Sequence, residues 1–267
     1  MDISALSQTT QVILCPPFEW CYVSGGKVIL QDASADGGTN GGEYQVPAFG
    51  MGRYQITNAQ YQKFLHAQNG FTNVEWWAFS PEAGQWRKDR KSPMPTAFIG
   101  DDLPMTRVSW FDGMAFCAWL SVQLDIRSFD IRNIASWSVR LPTEQEWQRA
   151  ATGDTDWKYP WGNEFKDGYG NYANQVGLQP SKVGSYPEGA SPFGVMDMIG
   201  NLWEWCITPW GSDEMNVSGY TYRVFKGGAW NVSNPEYLSA TDRWSHPPRG
   251  RLNDCGIRVM FVVQNGQ

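Results

Sequence analysis

The side chains able to do chemistry are few and widely spaced. His66 and His246 are the only two imidazoles in 267 residues, so the chain alone cannot assemble a three-histidine metal centre. Five cysteines, Cys15, Cys21, Cys117, Cys206 and Cys255, are odd in number and include no CxxC pair. That usage fits buried reduced thiols better than a disulfide framework, with a Cys15–Cys21 bridge as the alternative. His246 lies in the Pro-flanked Ser245-His-Pro-Pro248, with no nucleophile motif beside it, and His66 lies on a helical pattern. A Ser-His-Asp arrangement therefore fails.

The elements that must position these groups begin with three helix starts, in which a side-chain oxygen caps free N–H groups and an acid or amide three residues on reaches back. Thr57 with Gln60 opens Asn58–Ala67, Ser109 with Asp112 opens Trp110–Gln123, and Thr143 with Glu146 opens Glu144–Ala151. The first and third are amphipathic. The second is apolar nearly all round and belongs deep inside the domain. Strand signals fall at Val12–Cys15, Lys27–Gln31, Arg223–Lys226 and Cys255–Val263. Between about residues 157 and 230 the chain is punctuated by Gly, Pro and Asn, which predicts irregular structure packed by aromatics. Few helices, a small sheet and long loops make an α+β domain. No Pro/Ser-rich or charged linker divides the chain, so residues 1–267 are expected to form a single domain.

A formal net charge of −6 without a Lys/Arg run excludes a phosphate-tracking surface, so no nucleic-acid partner is expected. The first ten residues have neither a basic nor an apolar region, and no later stretch reaches the roughly 20 apolar residues of a membrane span. No membrane insertion is expected, and the expected location is cytoplasmic or in a virion.

Seven segments occur in fixed order: Met51-Gly-Arg-Tyr-Gln-Ile-Thr-Asn-Ala-Gln-Tyr61, Val108-Ser-Trp-Phe-Asp112, Arg140-Leu-Pro-Thr-Glu-Gln-Glu-Trp147, Tyr159-Pro-Trp-Gly162, Phe193-Gly-Val-Met-Asp-Met-Ile-Gly-Asn-Leu-Trp-Glu-Trp205, Arg223-Val-Phe-Lys-Gly-Gly-Ala-Trp230 and Gly256-Ile-Arg-Val259. Over about residues 46 to 263 this series resembles the formylglycine-generating enzyme (sulfatase-modifying factor) family, which implies a C-type lectin type of fold. The residues themselves read as scaffold: Asn201, Trp203, Glu204 and Trp205 satisfy loop backbone, and Gly227 and Gly228 let backbone approach backbone.

The resemblance also sets expectations for chemistry. Family members that oxidise a sulfatase cysteine use a thiol pair that binds copper, and those two positions fall here on Pro235 and Ala240. Cys255 lies where the family has an apolar residue. Relatives that join sulfur to histidine betaines add a separate domain with iron ligands, and none is recognisable in this sequence. No certain cofactor is implied beyond structural calcium, for which the matching groups are the Gly200 and Leu202 carbonyls and Glu204, with Asn174 at the start of a second, shortened loop. Sugar binding through calcium finds no Glu-Pro-Asn or Gln-Pro-Asp signature.

Within residues 231–255, Arg243, Pro248 and Arg251, followed by Gly256 and Arg258, are spaced as in the variable proteins of diversity-generating retroelements, a branch of the same fold. The residues between these fixed points are Val232, Ser233, Glu236, Tyr237, Thr241, Asp242, Trp244, Ser245, His246, Gly250, Leu252, Asn253 and Asp254. Their mixture of aromatic, acidic, hydroxyl and amide groups suits an adaptable contact surface for a protein or cell-surface ligand. The expectation is a non-enzymatic binding protein, with Arg243 and Arg251 turned inward and the residues between them forming one exposed patch. The alternative is a formylglycine-generating-enzyme-like oxidoreductase or another enzyme using a different site.

Overall fold

Capping chemistry sets the helices. In the computed structural model, which describes residues 2–39, 41–124, 129–173 and 177–262, Thr57 and Thr143 each close a full capping box, with Gln60 and Glu146 returning to the cap backbone. Ser109 accepts from the Asp112 N–H, but the Asp112 carboxylate turns back to the Ser109 hydroxyl instead of the cap backbone.

In chain order the elements are α1 (Ile3–Leu14), β1 (Trp20–Val23), β2 (Gly26–Leu30), β3 (Gly42–Val46), β4 (Phe49–Gly52), α2 (Asn58–His66), α3 (Pro81–Asp89), α4 (Trp110–Leu124), β5 (Val139–Arg140), α5 (Glu144–Thr152), β6 (Trp203–Pro209), β7 (Arg223–Lys226), β8 (Trp244–His246), β9 (Cys255–Gly256) and β10 (Met260–Val262). The architecture is α+β. One sheet runs β1-β4-β10-β5, β2 and β3 form a hairpin, and a third sheet runs β8-β7-β6-β9 with β6 and β9 parallel. α4 is buried from Trp110 through Ser121. Its all-round apolar surface places it among Phe64, Trp77, Trp137 and Trp205 in the core.

Two expectations are corrected. Val12–Cys15 is not a strand: Asp2 caps α1 by accepting from the Ser4 and Ala5 N–H groups, and Leu14 is buried at the other end. The cap and tertiary burial outweigh the strand preference of Val and Ile. The Cys255–Val263 run is two short strands in different sheets, because Ile257–Val259 crosses between them and sends Arg258 inward onto Glu204; Val263 lies outside the described residues. α3 was not anticipated, although Ser80 followed by Pro81 is an N-cap and first-turn signal. Among the described residues no helix is long and apolar enough to cross a membrane.

Candidate ligand cavity

The third sheet presents an aromatic floor. Phe225 on β7 pairs with Trp205 on β6 and Trp244 on β8, and alternation along β6 leaves Trp203 on the open side while Glu204 turns into the core. The Trp203 and Trp244 rings lie 6.2 Å apart, Tyr237 meets Trp244 edge-on at 5.6 Å, and His246 stacks on Phe225 at 5.9 Å. With loop residues 231–234, Leu252 and Asp254, these rings enclose a cavity of about 400 Å³.

Eight of the expected contact residues line it: Val232, Ser233, Tyr237, Trp244, Ser245, His246, Leu252 and Asp254. The others correct the single-patch expectation. Glu236, Thr241 and Asp242 line a second cavity. Asn253 accepts a 2.6 Å bond from Arg107 Nε outside both, and Gly250 packs under the His246 ring. The physical reason is the short turn Pro235–Leu238, capped by Asn234, which carries Glu236 and Tyr237 to opposite sides of one wall. Gly228 permits this close packing. It has φ +77°, and a Cβ there would lie 2.5 Å from Leu238 Cδ2.

The frame arginines turn inward. Arg243 Nε lies 2.8 Å from Glu144, which also faces the buried ammonium of Lys226 at 3.4 Å. Arg251 pairs with Asp112 at 2.7 Å, and that carboxylate also accepts from the indoles of Trp77 and Trp86. Asp242 accepts from Trp244 Nε1 at 3.1 Å, yet burial still holds its carboxyl above the ordinary range. Trp203, Phe225, Asn231 and Asn234 also line the cavity and were missed. The alternation of Trp203 with Glu204 was the available signal, but the motif as a whole read as scaffold.

The residues matched to calcium do not fit that ion. Glu204 Oε1 accepts from Arg258 Nη2 at 2.7 Å and Gln55 Nε2 at 3.0 Å, and Oε2 accepts from Trp147 Nε1 at 2.6 Å and Arg258 Nε at 2.9 Å. The Leu202 carbonyl is taken by Gln55. A guanidinium thus fills the place of a cation beside Glu204, while Gly200 serves as a tight turn at φ +81°. Asn174 lies outside the described residues.

A redox metal fits no better. The thiolate positions hold Pro235, whose carbonyl accepts from the Tyr159 hydroxyl at 3.4 Å, and the buried Ala240. Cys255 is fully buried, and desolvation pushes its thiol well above the ordinary range. Among the described residues no group of three His, Cys, Asp or Glu side chains could hold a metal. What this surface can do is bind and orient a ligand.

The family description "sulfatase-modifying factor enzyme 1-like domain" matches residues 14–262. The hercynine oxygenase of Mycobacterium tuberculosis is 32% identical over 82% of this chain and 53% of its own length, so the chain spans about half of that relative. The inactive C-alpha-formylglycine-generating enzyme 2 of Mus musculus is 26% identical over 89% of this chain and 83% of that protein. Among solved structures, Treponema denticola variable protein 1 superposes with a TM-score of 0.64 at 21% identity, covering 91% of this chain and 95% of the other. The fold is thus the one the sequence motifs implied. The expectation of a non-enzymatic protein is overturned: three hercynine oxygenases match at 28 to 32% identity over most of the chain, which places its relatives among enzymes.

Proposed function

This chain belongs to the sulfatase-modifying factor enzyme family, and on that premise we propose that it is the substrate-holding domain of an oxygenase-type enzyme, its aromatic cavity seating a small alkylated ammonium compound of the hercynine kind. One observation carries the reading: Trp203, Phe225, Tyr237 and Trp244 surround a cavity that also carries the Asp254 carboxylate. Aromatic faces bear negative potential, and a quaternary ammonium, which cannot donate a hydrogen bond, is held by that potential.

The residues divide the work. Asn231 Nδ2 donates to Asp254 at 2.9 Å and fixes the acid. The Pro247 carbonyl 3.2 Å from His246 Nδ1 can only accept, so Nδ1 donates in this contact and Nε2 is left for the ligand. Titration of hercynine against tryptophan fluorescence tests the proposal. Hercynine should bind, histidine should bind at least about tenfold more weakly, and Trp244→Ala should abolish the difference. Equal affinity for the two compounds would refute it.

A second reading gives the same cavity to a side chain of a protein or cell-surface ligand, on a surface diversified as in retroelement variable proteins. It is favoured by the eight cavity residues that lie between the fixed points of segment 231–255. A second genomic copy of this segment beside a reverse transcriptase gene, differing at those positions alone, would support it.

A further inference from the structure

Three of the five contact residues that the aromatic cavity leaves out lie together. Glu236, Thr241 and Asp242 gather with Lys158, Tyr159 and Ser239 around a second cavity of about 300 Å³, on the other side of the wall formed by residues 235–244. This cavity carries one cation and two acids. Among the described residues Lys158 has no ion-pair partner, and Glu236 makes one long side-chain contact, 3.4 Å from Asn234.

The backbone around it is held. Ala240 N–H donates to the Lys158 carbonyl at 2.6 Å, Lys158 N–H donates to Asn163 at 2.9 Å, and the Tyr159 hydroxyl reaches Pro235. The Ser239 and Thr241 hydroxyls lie 3.0 Å apart, and Asp242 is tied to Trp244 of the first cavity. Two acids and one ammonium line the cavity, and the half-buried Asp242 carboxylate also feels Lys226 and Arg243; a ligand ammonium beside either acid gains a charge-assisted hydrogen bond.

We propose that this second cavity is a binding site for a small zwitterion, an amino acid or its close derivative, whose carboxylate meets Lys158 and whose ammonium meets Glu236 and Asp242. Both charges of such a ligand find an opposite charge, whereas a simple anion faces the two acids and a simple cation faces Lys158. The hydrogen bond from Trp244 to Asp242 makes the two cavities neighbours.

The test uses the whole chain and three probes, glycine, its amide and acetate, followed by ligand-observed NMR saturation transfer. Glycine is expected to bind, with glycinamide and acetate each at least about tenfold weaker. Lys158→Met should remove glycine binding, and Glu236→Gln should weaken it. Both side chains are exposed, so neither change threatens folding; Lys158 has no place in the aromatic cavity, and Glu236→Gln keeps an oxygen to accept from Asn234 in its wall, so tetramethylammonium should bind there as before. Absence of glycine binding, equal binding of the three probes, or retained binding in Lys158→Met would overturn the proposal. Loss of tetramethylammonium binding alone would bear on the aromatic cavity and leave this one standing.

Discussion

Arg258 closes on Glu204 with two arms of its guanidinium, Nη2 2.7 Å from Oε1 and Nε 2.9 Å from Oε2, both side chains being buried. The same Arg258 also donates to the carbonyls of Gly52, Arg53 and Met196, so this one pair joins the crossing from β9 to β10 to the end of β4 and to the loop that carries Met196. Removing one partner leaves an uncompensated buried charge. Arg258→Met is expected to cost about 3–5 kcal/mol in urea unfolding, and a loss under about 1 kcal/mol would show that the pair does not organise the core.

The same occupancy predicts the response to metal. Each Glu204 oxygen already accepts two donors, and no cation can approach without expelling Arg258. The melting temperature should therefore be the same in excess calcium and in chelator. Calcium binding to the native state would raise it by mass action, and such a rise would return calcium to this site.

Acidity should act through Asp197. Its carboxyl is buried and accepts from the Gly184 N–H at 2.7 Å; desolvation raises its pKa from 3.8 to about 6, against the lowering effects of that bond and of Arg258. The folded state therefore holds the proton more tightly than the unfolded chain. The stability this contributes is complete below the unfolded value and is lost as pH rises through about 6, roughly 3 kcal/mol for a shift of this size. Asp197→Asn retains an acceptor for Gly184 and should flatten the dependence between about pH 4 and pH 7. Identical slopes in the two proteins would assign it elsewhere.

How much of this was legible follows from which forces are local. The α2, α4 and α5 starts were readable because capping is a contact over three residues, and α4 was readable as central because its apolar surface has no gap. The fold itself was implied by the resemblance that the ordered motifs carry, and their indoles and glycines hold loop against loop. The inward turn of Arg243 and Arg251 was implied by their place in the family pattern that the segment resembles. The division of the contact residues between two cavities was not legible. It depends on which side of the Pro235–Leu238 turn each side chain leaves, and on Asn253 pairing with Arg107, 146 residues away. Trp203 read as scaffold and is packed in the core, but its second role as cavity floor was missed, since a single indole can be both.

The two cavity tryptophans should respond differently. Trp203 is 8% exposed and Trp244 48% exposed. Trp203→Ala is expected to cost about 3–5 kcal/mol, while Trp244→Ala should stay near 0.5 kcal/mol. Binding of an alkylated ammonium should be lost in both. Thermal unfolding and fluorescence titration on the same samples separate the two effects, and retained binding in Trp244→Ala would remove the aromatic cavity as the cation site.

Gly250 gives the most local test of cavity shape. A Cβ at this position would lie 2.2 Å from His246 Nδ1 and 2.5 Å from Cε1, closer than atoms can approach, so Gly250→Ala must drive the imidazole from its place. That ring stacks on Phe225 with planes 8° apart and bonds to the Pro247 carbonyl, and both contacts should be lost together. His246 is half-buried at the edge of the third sheet and can swing outward, so the stability loss should stay below about 2 kcal/mol, within the ordinary range for a point change. The cavity wall moves with it. Hercynine affinity should fall by at least about tenfold, and the His246 ring protons should lose the upfield NMR shift that stacking on Phe225 imposes. Wild-type ring shifts in Gly250→Ala would mean that the loop has yielded instead. An altered ring with unchanged affinity would show that His246 takes no part in holding the ligand.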